Sequence, residues 1–264
     1  MQEIVIPFDL SEFAVQAAHW GAEFAVRIKV DIVLFHSVEA VKSADGKAAH
    51  IDEEAVADVQ LLMEEFAMTL STSVDHRVNV RTLVRKGDPS IQLNIYCFFH
   101  EPLVAVLNGA LFSSTPSMLR RQFNTWFQKI TWPVMVLSRN SKLHSSLRIG
   151  VVDTPHGTLS SVTSMIIQSR NSKGELSLVF ISKGTDGAKA SINPSLNREY
   201  LGNPDNKFHF QHVNFAGVIS PEIVENFLDR FALDILLLNP VHKHHSFPSF
   251  FFTRQYEKHE SVNL

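Results

Sequence analysis

Cysteine is all but missing: Cys97 is the only one in 264 residues. An intramolecular disulfide is therefore impossible, a disulfide-stapled secreted scaffold is excluded, and a cytoplasmic setting is the simple expectation. Long apolar runs are missing too. No stretch reaches the ~20 residues that a bilayer-spanning helix needs. The opening "MQEIVIPFDL" has neither the basic start nor the long apolar segment of a secretory leader. Excess charge of either sign is absent, because 24 Lys and Arg stand against 27 Asp and Glu for a formal net charge of -3. That balance gives no electrostatic reason to expect nucleic acid or an acidic membrane as a partner. Glycine is sparse and unevenly placed: the chain has 11, with none from 110 to 149 and none after Asn239.

What is present is an alternation of short apolar runs with amphipathic stretches. "EIVIPF" reads as a strand buried on both faces. Ser11 then opens a helix whose apolar stripe is Phe13, Ala17, Trp20, Phe24 and Ile28. "DIVLFHSV" (31–38) is a second buried strand, and 52–70 is a helix with acids in its first turn and Val56, Val59, Met63, Phe66 and Leu70 inward. "RVNVRTLV" (77–84) is a third strand. Asp88-Pro89 is an N-cap followed by proline at the first helical position, and it starts a helix carrying Ile91, Ile95 and Phe98. "LVAVLNG" (103–109) and "PVMVLS" (133–138) are the fourth and fifth strands, with a fourth helix between them begun by Thr115-Pro116. Strict alternation of this kind predicts a parallel sheet with helices on both faces.

The polar stretch "SKLHSSLRI" places a boundary near residue 142, and the second half repeats the landmarks of the first. Strands are expected at "LRIGVVD", "LSLVFIS", "KFHFQHV" and "DILLLN", with one helix at "TLSSVTSMIIQS" after Asp153 and another begun by Ser220-Pro221. Asp9 at the end of the first strand matches Asp153 in "IGVVDTPHG", and "VLN" ending at Asn108 matches "LLN" ending at Asn239. Gly-, Asn- and Asp-rich sequence stands where the first half has its long second helix, so the second unit is the shorter. The expected domains are 1–141 and 147–264.

An α/β unit of this length that starts "IVIPFDLSEFA" and closes on "PVMVLS" resembles the universal stress protein family, whose tandem members carry two such units in one chain. The resemblance implies two tandem doubly wound parallel-sheet repeats, Rossmann-like and akin to the adenine-nucleotide α-hydrolase fold, the second one shortened. It further implies a stress-related, cytoplasmic binding or regulatory role and assembly through the last strand. In a tandem chain that assembly becomes an intramolecular pseudo-dimer, with a homodimer as the further possibility. "PVMVLS" is then expected to face another chain or the aromatic tail. For one subset of the family the resemblance implies ATP at the carboxyl ends of the strands. There, Pro7, Phe8, Asp9, Val38, Asn108, Gly109, Ser113, Ser114, Asp153 and Asn239 form the candidate ligand-binding set, for a small molecule or nucleotide. In open α/β sheets ligands do sit outside the carboxyl strand ends, where strand order reverses. Asp9 has two readings, a ligand acid or a turn acid for the following helix.

ATP-binding members of the family carry Gly-x2-Gly-x9-Gly-Ser/Thr after the fourth strand. Here Gly109 fits the first position, but Phe112 falls on the second and Gln122-Phe123 on the last pair. Glycines serve there because backbone N–H groups must approach phosphates closely and at positive φ. The expectation is accordingly no tight ATP binding and no bound cofactor, with a divergent nucleotide loop as the alternative. Hydroxyls in "SSTPS" (113–117) followed by Arg120 and Arg121 could cradle an anion or simply cap a helix. His242, His244 and His245 have no metal-ligand spacing and no nearby carboxylate, so no metal is expected. Cys97 among apolar neighbours is an inert thiol, and "FPSFFF" (247–252) is expected to pack on the sheet or cover the first repeat. No Gly-x-Ser-x-Gly elbow, zinc motif or P-loop lysine is present, and no enzymatic activity is expected.

Overall fold

The apolar runs form strands where expected, and the first three helices start at the polar residues that cap them, Ser11, Asp52 and Asp88. The computed structural model of the chain describes residues 2–39, 52–74, 78–108, 132–138, 147–153, 176–183, 208–215 and 221–238. In the first half β1 (Glu3–Pro7), α1 (Glu12–Ile28), β2 (Asp31–Val38), α2 (Glu53–Ser73), β3 (Val80–Lys86), α3 (Pro89–His100), β4 (Val104–Asn108) and β5 (Val134–Leu137) follow in order. In the second, β6 (Leu147–Asp153), β7 (Leu176–Lys183), β8 (Phe208–Phe215), α4 (Pro221–Arg230) and β9 (Ile235–Leu238) follow. The helices expected after Thr115 and after Asp153, the polar boundary segment and the aromatic tail lie outside the described residues.

Capping explains the helix boundaries. The Asp88 carboxylate accepts from the Ile91 N–H at 2.9 Å and Pro89 takes the first helical position, so α3 begins where its donors are satisfied. Asp52 does the same for α2, accepting from the N–H groups of Glu54 and Ala55. α1 and α3 end at Lys29 and Glu101, both left-handed, whose N–H groups bond back to Ala25 and Cys97.

All nine strands join one sheet in the order β3-β2-β1-β4-β5-β9-β6-β7-β8. Every neighbouring pair is parallel except β5 and β9, which run antiparallel with Val136 opposite Leu236. The second-half order β8-β7-β6-β9 thus repeats β3-β2-β1-β4 in the reverse direction. The expectation that "PVMVLS" faces another chain or the tail is corrected here. β5 lies between β4 and β9, so both its edges are occupied within the chain. A second half without a described fifth strand presents the edge of its fourth, and β5 takes it.

Two apolar layers sandwich the sheet, and each crosses this seam. One layer joins residues of α1 and α2 with Ile4, Ile6, Leu34, Met135, Val151 and Leu237; the other joins residues of α3 and α4 with Val5, Phe35, Val136, Val152 and Leu236. Asp234 pins the junction: its carbonyl accepts from Ser138 N–H beyond β5, and its backbone N–H and side chain both bond to Arg148 on β6. Close approach is set by glycine at two points. A Cβ on Gly21 would lie 2.6 Å from Ile6 Cδ1, and one on Gly150 would lie 2.4 Å from Leu233 Cδ1 and 2.7 Å from Leu236 Cδ1.

Candidate functional site

From β1 the chain winds outward through β2 and β3, then returns to β4 on the other side of β1. Strand order therefore reverses between β1 and β4, and a crevice at their carboxyl ends is where an open α/β sheet takes ligands. The β1–α1 turn lies at this end. Carrying the β1–β4 register forward from Val5 and Ala105 sets Asn108 level with Phe8.

The turn is held at several points. Phe8 N–H donates to the Phe35 carbonyl at 2.7 Å, and the Phe8 carbonyl lies 2.6 Å from His36 Nδ1 on β2. A carbonyl can only accept, so Nδ1 carries the proton. The Phe8 ring is buried and stacks on Phe66 of α2, with centroids 4.6 Å apart. Leu10 then takes φ 65, a left-handed conformation that a leucine adopts at a cost. Asp9 Oδ1 accepts from both the Ser11 N–H (3.1 Å) and the Ser11 hydroxyl (2.5 Å). The Ser11 oxygen in turn accepts from Ala14 N–H at 3.2 Å and caps α1. Of the two readings of Asp9, these bonds show the turn acid. Ser11 is the cap, Asp9 braces it through one oxygen, and the exposed Oδ2 makes no bond among the described residues.

The neighbouring strand ends are knit together. Ser37, buried, donates its hydroxyl to the Gly87 carbonyl at 2.6 Å, and Gly87 N–H donates to the Val38 carbonyl at 2.9 Å. Val38 thereby directs its carbonyl toward β3, on the far side of β2 from the crevice. Gly87 has φ +123, which only glycine adopts without strain. Across the crevice the buried Asn108 donates from Nδ2 to Gln16 Oε1 of α1 at 3.1 Å.

Of the expected set, Pro7, Phe8, Asp9 and Asn108 gather around the β1–β4 crevice, and Val38 lies at the same end one strand further out. Gly109, Ser113, Ser114 and Asn239 lie outside the described residues, as do Arg120, Arg121 and the histidines at 242, 244 and 245. Sequence reasoning missed Leu10, Gln16, His36, Ser37 and Gly87. Only Gly87 carried a local signal, a lone glycine between a strand pattern and an Asp-Pro helix start.

Asp153 ends β6, and because β5 and β9 are antiparallel its strand end points to the opposite edge of the sheet from Asp9. The two acids cannot share one site. Nor do they occupy the same rung. Ile4 pairs with Val104, which stands four residues before Asn108; Ile149 pairs with Ile235, which stands four before Asn239. Asp9 is the fifth residue after Ile4, whereas Asp153 is the fourth after Ile149. In this frame Asp153 corresponds to Phe8. A slip of one residue exchanges the faces of a strand, so the repeated acid of the sequence is not a repeated position.

At the amino ends of β1 and β3 lies a second polar group. Arg81 Nη2 sits 2.7 Å from both Glu3 Oε2 and the Tyr96 hydroxyl, and that hydroxyl also donates to Glu3 Oε1. Burial holds the Tyr96 phenol above its ordinary range, and the Glu3 carboxylate adds to the effect. Burial, with Glu3 contributing, likewise raises the Cys97 thiol and keeps it in its unreactive neutral form. Each member of this group satisfies another, and it lies at the end opposite the crevice. Among the described residues no cluster could hold a metal ion, and no helix is long and apolar enough to cross a membrane.

No curated protein matches the chain. Residues 1–96 match the universal stress protein family. That stretch carries the braced turn, the β2 strand end, Gly87 and most of α3. Among solved structures, a universal stress protein from Archaeoglobus fulgidus DSM 4304 is similar at 12% identity, with a TM-score of 0.58 over 90% of this chain and 96% of its own. The cytoplasmic domain of a prokaryotic cation chloride cotransporter is similar at 11% identity, with a TM-score of 0.50 over 90% of this chain and 95% of its own. At these identities the likeness is one of fold, and it runs through both halves.

Proposed function

We propose that the chain is a tandem universal-stress-type protein that acts as a cytoplasmic binding or regulatory module in a stress response, without catalysis and without tight ATP binding. The observation that carries this reading is the family match over residues 1–96, which contains the braced Asp9 turn at the strand-order switch point. The mirrored strand order of the second half supports an internal pseudo-dimer built through β5 and β9. The ligand end is proposed to be the first half alone, since Asp153 stands on the rung of Phe8. A phosphate cradle needs glycines that the sequence lacks from 110 to 149. Each lost hydrogen bond to a charged phosphate forfeits about 1.5–3 kcal/mol, and two such losses weaken binding by on the order of a hundredfold or more. Calorimetric titration with ATP and magnesium tests this, with a dissociation constant weaker than low micromolar expected.

A nucleotide binder with a divergent loop is the second reading, favoured by the exposed Asp9 Oδ2 at the crevice. Native mass spectrometry of the purified protein separates the two. Stoichiometric AMP, ADP or ATP would replace the first reading with the second.

A further inference from the structure

We infer that His36 positions the ligand end of the molecule by fixing the Phe8 carbonyl, and that Asp9 is presented to a ligand only while this bond is made. The inference rests on the reading that a nucleotide-type ligand meets Asp9 at the β1–β4 crevice. His36 stands on β2, and its Nδ1–H reaches across to the Phe8 carbonyl at 2.6 Å, the last backbone acceptor before the turn. The turn that follows is not self-sufficient. Leu10 sits at φ 65, a conformation that a leucine does not keep without being held. Four bonds do the holding: Phe8 N–H to the Phe35 carbonyl, His36 to the Phe8 carbonyl, and the Ser11 N–H and hydroxyl to Asp9 Oδ1. The first is part of the strand ladder and the last two are local. Among the described residues, His36 is the side chain from outside the turn that hydrogen-bonds to it, 28 residues away in sequence. With that tie removed, the Phe8–Asp9 peptide is free to rotate, Leu10 can relax to negative φ, and Asp9 Oδ2 loses its fixed direction. The Phe8 ring, stacked on Phe66, still anchors the strand end, so the fold survives while the turn loosens.

Geometry supplies a selective test. In a side-chain superposition, asparagine Nδ2 overlays the histidine Nδ1 position, whereas glutamine Nε2 overlays Nε2. His36→Asn should therefore restore the donor, His36→Gln should not, and His36→Phe removes it while keeping a ring. The readouts are exchange of the Ser11 amide by NMR and the affinity for AMP by chemical-shift titration. Loss of one hydrogen bond corresponds to roughly tenfold. His36→Phe and His36→Gln are expected to speed Ser11 exchange and weaken AMP by about that factor, with His36→Asn within about threefold of wild type. Wild-type behaviour of His36→Phe in both readouts, or better rescue by Gln than by Asn, would overturn the inference. If wild-type protein shows no AMP titration at millimolar concentration, the nucleotide reading fails. The role of His36 then stands or falls on Ser11 exchange: acceleration in His36→Phe with recovery in His36→Asn upholds it, and unchanged exchange overturns it.

Discussion

Asp9 braces Ser11 through one oxygen, and substitutions can separate that role from the proposed contact of the other oxygen with a ligand. Asp9→Asn keeps an oxygen that can accept from Ser11 while replacing the free carboxylate oxygen with an amide. Its melting temperature should stay close to wild type, and any ligand-induced rise should vanish. Asp9→Ala removes the brace as well and should cost about 1 kcal/mol, the usual scale for a lost cap. Scanning calorimetry with and without ligand distinguishes these outcomes; a full ligand shift in Asp9→Asn would make the residue structural only. At Leu10 the side chain is 38% exposed and the backbone strained. Leu10→Gly relieves about 1–2 kcal/mol of left-handed strain and gives back about half of that in unfolded-state entropy, so urea denaturation should show a small gain in stability. None of the strain was legible in "VIPFDLSEFA". The sequence shows an acid and a serine two apart, but not which of them caps the helix.

Turns and strand ends behave as units. Gly87 closes β3, receives the Ser37 hydroxyl and precedes the Asp88 cap. Gly87→Ala places a Cβ 3.0 Å from Gln92 Nε2 at φ +123 and should destabilise by about 1–3 kcal/mol, more than a surface substitution would. At the opposite strand ends, the raised phenol of Tyr96 makes stability fall in alkali. Below the ordinary tyrosine value near 10 both states keep the proton and the contribution is fully present. Above it the unfolded chain ionises first, so folding weakens as pH rises toward the folded-state value. Tyr96→Phe should flatten this alkaline decline, measured as denaturation midpoint against pH from 9 to 11. The strands and the Asp-Pro helix start were legible because burial on both faces leaves continuous apolar runs and caps are local chemistry. The Glu3–Arg81–Tyr96 group was not, because its members are 78 and 15 residues apart.

At the scale of the whole chain, both apolar layers cross the β5–β9 seam, so the halves should not unfold separately. Tryptophan fluorescence and far-UV circular dichroism are expected to report one coincident transition; two resolved midpoints would show independent halves. Gly150→Ala overpacks the neighbouring β6–β9 pair against Leu233 and Leu236 and should cost about 1–3 kcal/mol while leaving the transition single.

Alternation of apolar runs with capped helices specified an α/β parallel sheet, its helix starts and the second set of landmarks, because periodicity and capping act over a few residues. Which strand lies beside which is a long-range matter. Composition is silent on the antiparallel meeting of β5 with β9, and that single contact sends the two sets of carboxyl ends to opposite edges of the sheet. Register is long-range too. Two aspartates that look equivalent in sequence differ by one rung once their strands pair, since hydrogen bonding to a neighbour fixes a strand's phase and a strand's own residues do not. His36 belongs to the same category: within "DIVLFHSV" it is one polar residue in a strand, and only the packing of β2 beside β1 brings its ring to the Phe8 carbonyl.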